Sequence, residues 1–165
     1  MKLEQVLVVG AGQMGGGIAQ VVAASGRRVS LHDAVPGAVE RALETMRKSL
    51  ARLAEKDGAE PDEVLGRIQA VDDLVPADLM IEAVVEDADV KAAIFRQADG
   101  VLPPQAILAS NTSSIPITSL AAGGALLALA AAAAGALLLR RRRAGQELAE
   151  ELDELLRLPE REVVV

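Results

Sequence analysis

The sequence predicts an α/β fold: a single domain on a doubly wound, mainly parallel sheet with helices on both faces. Three observations predict it. Short apolar runs alternate with amphipathic stretches from Val6 to Thr112, the pattern of buried parallel strands joined by crossover helices. A glycine-rich turn, "GAGQMGGG", joins the first run to the first amphipathic stretch. The 165 residues suffice for one domain with a sizeable core.

The elements follow in order. Val6–Val9 is a continuous apolar run, as expected of a strand covered on both faces. After Gly10–Gly17 a helix carries Ile18, Ala19, Val22 and Ala23 and stops at Gly26. "RRVSLHD" is a second strand ending at Asp33. Pro36 opens a long amphipathic helix with Val39, Leu43, Met46, Leu50 and Leu53 on one stripe. A shorter helix covers Pro61–Ile68. "DLMIEAVVE" is a buried strand, Asp87–Asp99 a helix ended by Gly100, and "AILASNT" a further strand.

Texture changes after Leu120. Leu120–Leu139 contains only Leu, Ala and Gly, and four arginines follow. Twenty uncharged residues meet the length rule for a membrane span. Ten of them are alanine and three glycine, which favours simplified strand, loop and strand elements of the same sheet. Beyond the low-complexity stretch 121–143, a closing helix with Leu148, Leu152 and Leu155 on one face stops at Pro159, and "EVVV" is a last strand.

Composition excludes several functions. Without cysteine there is no disulfide framework, thiol nucleophile or thiolate metal site. One histidine excludes a multi-histidine metal cluster, and no metal site is expected. A net charge of -7 argues against nucleic acid as a partner. "MKLEQVLVV" is too short and too acidic for a secretory signal, so a cytoplasmic location is expected. Phe95 is the only aromatic residue, so Ala, Val, Leu and Ile must build the core.

Gly10, Gly12 and Gly15 spell G-x-G-x-x-G between a strand and a helix. The first glycine allows the tight turn, the second lets backbone approach a pyrophosphate, and the third allows close helix–strand packing. The helix N-terminus offers unpaired N–H groups and partial positive charge to the phosphates. Asp33 ends the second strand 23 residues after Gly10. Its carboxylate can accept the ribose hydroxyls of NAD and repels the 2′-phosphate of NADP; Ala34 and Val35 follow, with no arginine. The pattern is that of a Rossmann-type domain with NAD as cofactor. The structural alternative is a glycine turn that only packs a helix on a sheet.

From about Val6 to Leu120 the chain resembles the NAD-binding domain of the 3-hydroxyacyl-CoA dehydrogenases, which include the 3-hydroxybutyryl-CoA dehydrogenases. The resemblance rests on "GAGQMGGGIAQ", "IEAVVEDADVK" and "ILASNTSSIPITSLA". Members oxidise the 3-hydroxyl of an acyl-CoA and pass hydride to NAD. The resemblance implies a cofactor-binding set of Gly10, Gly12, Gln13, Met14, Gly15, Asp33, Ala83, Glu86, Lys91, Asn111 and Ser113. Glu86 and Lys91 match positions on the nicotinamide side, Asn111 a position where the sheet edge meets that ring, and Ser113 a serine shared with substrate. Ser49 and Lys56 match positions that hold coenzyme A. Seven residues apart, they also share one helix flank, where a hydroxyl and an ammonium suit an anionic ligand. Each has a structural alternative. Lys56 is then a solvated lysine, Glu86 and Asp87 start the helix carrying Lys91, and Ser113 or Ser114 caps the turn before Pro116. Asn111, polar after a buried strand, requires a partner or a ligand.

The chain departs from the family where the family keeps its base. The resemblance implies a histidine in a His-Phe-Phe-Asn-Pro stretch after "SNTSS", oriented by a later glutamate. Allowing a short deletion after "SLAAG", these positions fall near Leu129 for the histidine, Ala132 for its asparagine and Arg141 for the glutamate. The segment from Leu120 to Arg143 holds no His, Asn, Glu or aromatic residue. His32 is no substitute: in an extended strand it points opposite to its neighbour Asp33, and it is expected to pack beside the second strand. The family's helical domain, which closes the substrate cleft and makes the dimer, would begin where this chain ends. The expectation is NAD(H) binding with little or no dehydrogenase activity, an acyl-CoA as possible partner and no predicted oligomeric state. The alternative is a simplified or artificial Rossmann scaffold with no ligand.

Overall fold

A computed structural model describes residues 3–57, 60–112, 126–129 and 137–141, with side chains for 3–54 and 60–112. In chain order the elements are β1 (Gln5–Val9), α1 (Gln13–Ala24), β2 (Arg28–His32), α2 (Ala38–Asp57), α3 (Pro61–Leu65) and β3 (Ile68–Ala70). Then come β4 (Leu79–Glu82), α4 (Ala88–Val101), β5 (Ile107–Ser110), β6 (Leu126–Leu129) and β7 (Leu137–Arg141). The sheet order is β3-β2-β1-β4-β5-β7-β6. The first five strands are parallel; β7 pairs antiparallel with both β5 and β6. Within the low-complexity stretch, residues 126–129 and 137–141 are strands of the same sheet. Among the described residues no helix is long and apolar enough to cross a membrane. The expected closing helix and last strand, and Ser113 and Ser114, lie outside the described residues.

The strand alternation predicts two cores, and two are present. Val6, Val8, Val29 and Leu31 face Ala19 and Ala23 of α1 and Val39, Ala42, Met46 and Leu50 of α2. Leu7, Val9, Met80 and Leu108 face Phe95 and Ala98 of α4, with Leu102 beyond it. Successive strand residues point to opposite faces, so a run such as Val6–Val9 feeds both cores at once. At the N-terminal edge, the Glu4 and Gln5 N–H groups both donate to Asp78 Oδ2 at 2.9 Å. These bonds, Gln5's foremost, hold the Asp78 carboxyl below the ordinary carboxylate range.

Several boundaries differ from expectation. The strand expected over "DLMIEAVVE" stops at Glu82. The long helix starts at Ala38, because Gly37 ahead of it takes φ +74°. A 20-residue helix of about 30 Å also outruns five-residue strands of about 17 Å, so its far end overhangs the sheet and Leu53 is 41% exposed. Ile68 is not the end of a helix: α3 stops at Leu65 and Ile68 pairs with Val29 as the first residue of β3. Gly100 does not end α4, which runs to Val101. Leu102 leaves the helix with ψ 145° because Pro103 disfavours helical backbone in the residue before it.

Strand order runs outward in both directions from β1, to β2 on one side and β4 on the other. That reversal opens a crevice at the carboxyl ends of β1, β2 and β4, where α/β sheets bind ligands.

Candidate functional site

The glycine turn sits at that crevice. Gly10 has φ +105°, and its N–H donates to the His32 carbonyl at 2.8 Å. A Cβ on Gly10 would lie 2.5 Å from the Ala83 carbonyl oxygen, so β4 backs directly onto the turn. A Cβ on Gly15 would lie 1.8 Å from the Gly10 carbonyl oxygen. The close approach at Gly15 is therefore to the turn itself. Gly12 is different: nothing of the protein lies within 4 Å of its Cβ position, and the residue lines the crevice.

The helix the turn feeds is left without a protein cap. Gly12 is the N-cap of α1, no side chain bonds there, and the first turn has no acidic residue. Gln13 and Met14 open the helix, with Met14 58% exposed. The N-terminus of α4 is capped in the usual way: Asp87 Oδ1 accepts from Asp89 N at 2.9 Å and Val90 N at 3.0 Å. Unpaired N–H groups and the helix dipole thus remain available to an anion at α1 and not at α4.

Asp33 closes the other side of the turn. Its Oδ2 accepts from Ala11 N at 2.6 Å and its Oδ1 from Val35 N at 2.8 Å. Each oxygen keeps lone-pair capacity for a ribose hydroxyl. A cavity of about 530 Å³ runs from Asp33 past Gly10, Gly12 and Ala83 to the apolar Val84, Val90 and Ile94. Apolar lining with a few convergent polar groups, here the Asp33 carboxylate, is the usual make-up of a small-molecule site. His32 turns toward β3, where Nδ1 donates to the Val71 carbonyl at 3.2 Å, and so packs beside β2 as expected.

The ends of β4 and β5 hold a buried polar cluster whose centre, Glu82, the sequence did not single out. Lys91 and Glu82 are both 0% exposed. Lys91 Nζ donates to Glu82 Oε1 at 2.8 Å and Oε2 at 2.9 Å, and lies 3.3 Å from Glu86 Oε2. Ser110 Oγ donates to Glu82 Oε2 at 2.6 Å, and Val84 N to Oε1 at 2.7 Å. Asn111 N donates to the Glu82 carbonyl at 2.7 Å, and Thr112 Oγ1 to Glu86. Glu86, Lys91 and the Asn111 backbone thus lie together, but Lys91, expected on the cofactor's nicotinamide side, is 0% exposed beneath Glu86 and presents no surface to a ligand. A carboxylate inside the apolar run "LMIEAVV" was the available signal, since a buried acid needs a partner. Asp87 does also cap the helix carrying Lys91, with Glu86 just ahead of the cap, so for Asp87 that structural reading holds alongside.

A second cavity, about 610 Å³, lies between α1 and α2 on the opposite side of the glycine turn. Gly12, Gly16, Gly17, Gln20, Arg41, Thr45 and Ser49 line it. Ser49 Oγ accepts from Gln20 Nε2 at 3.4 Å. Lys56 lies two turns further along α2, and its side chain is outside those described. Among the described residues no cluster of His, Asp or Glu could hold a metal. β6 runs parallel to β5, so Leu129 ends its strand at the same sheet edge as Ser110.

Fold and site together define a dinucleotide-binding α/β domain. The comparisons with known proteins narrow the class. The family described as "3-hydroxyacyl-CoA dehydrogenase, NAD binding domain" matches residues 5–125, and the chain belongs to it. NAD is the cofactor of that domain. The chain is 44% identical over 128 residues to a probable 3-hydroxybutyryl-CoA dehydrogenase of Bacillus subtilis, covering 74% of this chain and 45% of the relative. It is 49% identical over 119 residues to a probable 3-hydroxybutyryl-CoA dehydrogenase of Deinococcus radiodurans, covering 69% and 43%. The crystal structure of 3-hydroxybutyryl-CoA dehydrogenase from Escherichia coli K12 superposes with a TM-score of 0.71 at 38% identity, covering 74% and 27%. The chain thus spans less than half the length of these relatives.

Proposed function

We propose that residues 1–165 form one dinucleotide-binding domain that holds NAD(H) across the sheet crevice and by itself turns over 3-hydroxyacyl-CoA negligibly. The observation that carries the binding half is the uncapped α1 N-terminus beside Asp33, at a turn where Gly12 alone of the three G-x-G-x-x-G glycines is open. Gly10, Gly12, Gln13, Met14 and Gly15 hold the pyrophosphate, Asp33 the adenosine ribose, and Ala83 the wall behind it. Glu86, Asn111 and Ser113, with Lys91 beneath, form the nicotinamide end. Bound NAD supplies a hydride acceptor there. Ser49 and Lys56 mark the α1–α2 cavity as the place for the coenzyme A part of an acyl-CoA.

The catalytic half follows from the residues at the sheet edge. Oxidising a 3-hydroxyl needs a group that takes its proton, and a base must lie within hydrogen-bond reach of it. Leu129 stands at the edge where the family's histidine is expected, and no His, Asn or Glu occurs from Leu120 to Arg143. A cytoplasmic location is proposed on the cysteine-free composition, and cell fractionation tests it.

NADH titration followed by nicotinamide fluorescence tests binding, with no tryptophan to interfere. Saturable binding that is lost in Gly12→Val supports the proposal; no saturable signal at millimolar NADH rejects it in favour of a ligand-free scaffold. NADH oxidation with acetoacetyl-CoA tests the second half. A rate above the buffer blank shows that a base is supplied otherwise.

A further inference from the structure

Resting on the dinucleotide reading, we infer that Glu82 is the positioning residue of the nicotinamide end. Its carboxylate accepts four hydrogen bonds, from Val84 N, Ser110 Oγ and twice from Lys91 Nζ. A carboxylate has about four acceptor directions, so Glu82 is saturated within the protein. At 0% exposure it also cannot touch a ligand. It acts through its neighbours.

Those neighbours form a closed circuit. From Glu82 at the end of β4 the bonds run to Lys91 on α4, from Lys91 to Glu86, from Glu86 to Thr112, and back through Asn111 and Ser110 to Glu82. The circuit ties together the end of β4, the loop after it, the first turns of α4 and the end of β5. Stability alone does not account for it. Exchanging a buried ion pair for apolar side chains of similar volume is often neutral or stabilising. What the Glu82 carboxylate does provide is a fixed position for Glu86, through Lys91, and for the end of β5 just before Asn111, through Ser110. The adenosine end is fixed separately, by Asp33 on Ala11 and Val35.

The separation of the two ends gives the test. In Glu82→Gln the amide oxygen still accepts from Val84 N, but Lys91 and Ser110 lose their charged acceptor. Calorimetric titration of the full chain with NADH and with ADP-ribose, which lacks the nicotinamide, reads the ends apart. The expected result is NADH binding weakened about tenfold with ADP-ribose unchanged within about twofold. The double variant Glu82→Gln/Lys91→Met removes the stranded charge and serves if the single variant fails to fold. It is expected to show the same selective loss, because Glu86 keeps Thr112 but loses the Lys91 ammonium beneath it. Equal loss of both ligands, or loss of neither, overturns the inference, as does full recovery of NADH affinity in the double variant. Wild-type chain that binds neither ligand overturns the dinucleotide reading and this inference with it. ADP-ribose binding that survives while the selective loss is missing overturns the inference alone.

Discussion

Three consecutive glycines in α1, Gly15, Gly16 and Gly17, set up a sharp prediction. Helix propensity alone favours alanine over glycine by about 1 kcal/mol at each. The structure separates them. Nothing lies within 4 Å of a Cβ on Gly17, so Gly17→Ala is expected to gain about 1 kcal/mol. On Gly16 a Cβ meets Ala42 Cβ and Met46 Cε at 3.7 Å, ordinary contact, so the gain should be similar. On Gly15 it meets the Gly10 carbonyl oxygen at 1.8 Å and its carbon at 2.8 Å. That carbonyl cannot swing away, because Gly10 is bonded to His32 and backed by Ala83. Overpacking of this kind costs about 3 kcal/mol, which exceeds the propensity gain and leaves a net loss of about 2 kcal/mol. For a chain of this size Gly15→Ala should lower Tm by about 4–8 °C while the other two raise it by about 2–4 °C. Thermal unfolding followed by far-ultraviolet circular dichroism measures all three. A Gly15→Ala protein at or above the wild-type Tm would refute the packing argument.

Further predictions follow from single residues. Asp33→Asn should weaken NADH by about tenfold and narrow its advantage over NADPH, since the anion that repels a 2′-phosphate is gone; an unchanged ratio of the two affinities counts against the assigned ribose contact. Phe95, 1% exposed and the only aromatic side chain, should cost about 3–5 kcal/mol on truncation to alanine, read by urea unfolding. Asp78 has a folded-state carboxyl held below its ordinary value. Its stabilisation is present above the unfolded value of about 3.9 and is lost as pH falls through the folded one. The stability gap between wild type and Asp78→Asn, measured by urea unfolding, should therefore be full at pH 7 and close at acid pH below about 4.

Much of the fold was legible because its signals are local. The apolar run Val6–Val9, the glycine turn and the stripe from Val39 to Leu50 each state their own structure in their own spacing. Pro103 could have been used to place the end of α4, yet Gly100 drew the boundary instead, because an isolated glycine signals a helix end only when its conformation is left-handed. Ile68 was assigned to a helix because a three-residue strand has too few residues to show an alternation; only its pairing with Val29 defines it. Gly10, Gly12, Gly15 and Asp33 were legible as a set because spacing along one strand–turn–helix–strand unit fixes their geometry. Glu82 was not, because the meaning of one acid in an apolar run depends on what faces it from two other elements.

The sequence by itself determined the class of fold, the glycine turn with Asp33 after the second strand, and the absence of His, Asn and Glu from Leu120 to Arg143. These depend on residues close together in the chain or on what the composition omits. Only the tertiary structure decided which glycine is open to a ligand, which helix end is left uncapped, and that Lys91 is held beneath the surface by Glu82. Those properties arise where β4, β5 and α4 meet the β1–α1 turn. Distances across such a meeting are set by packing between elements far apart in sequence, and no local pattern encodes them.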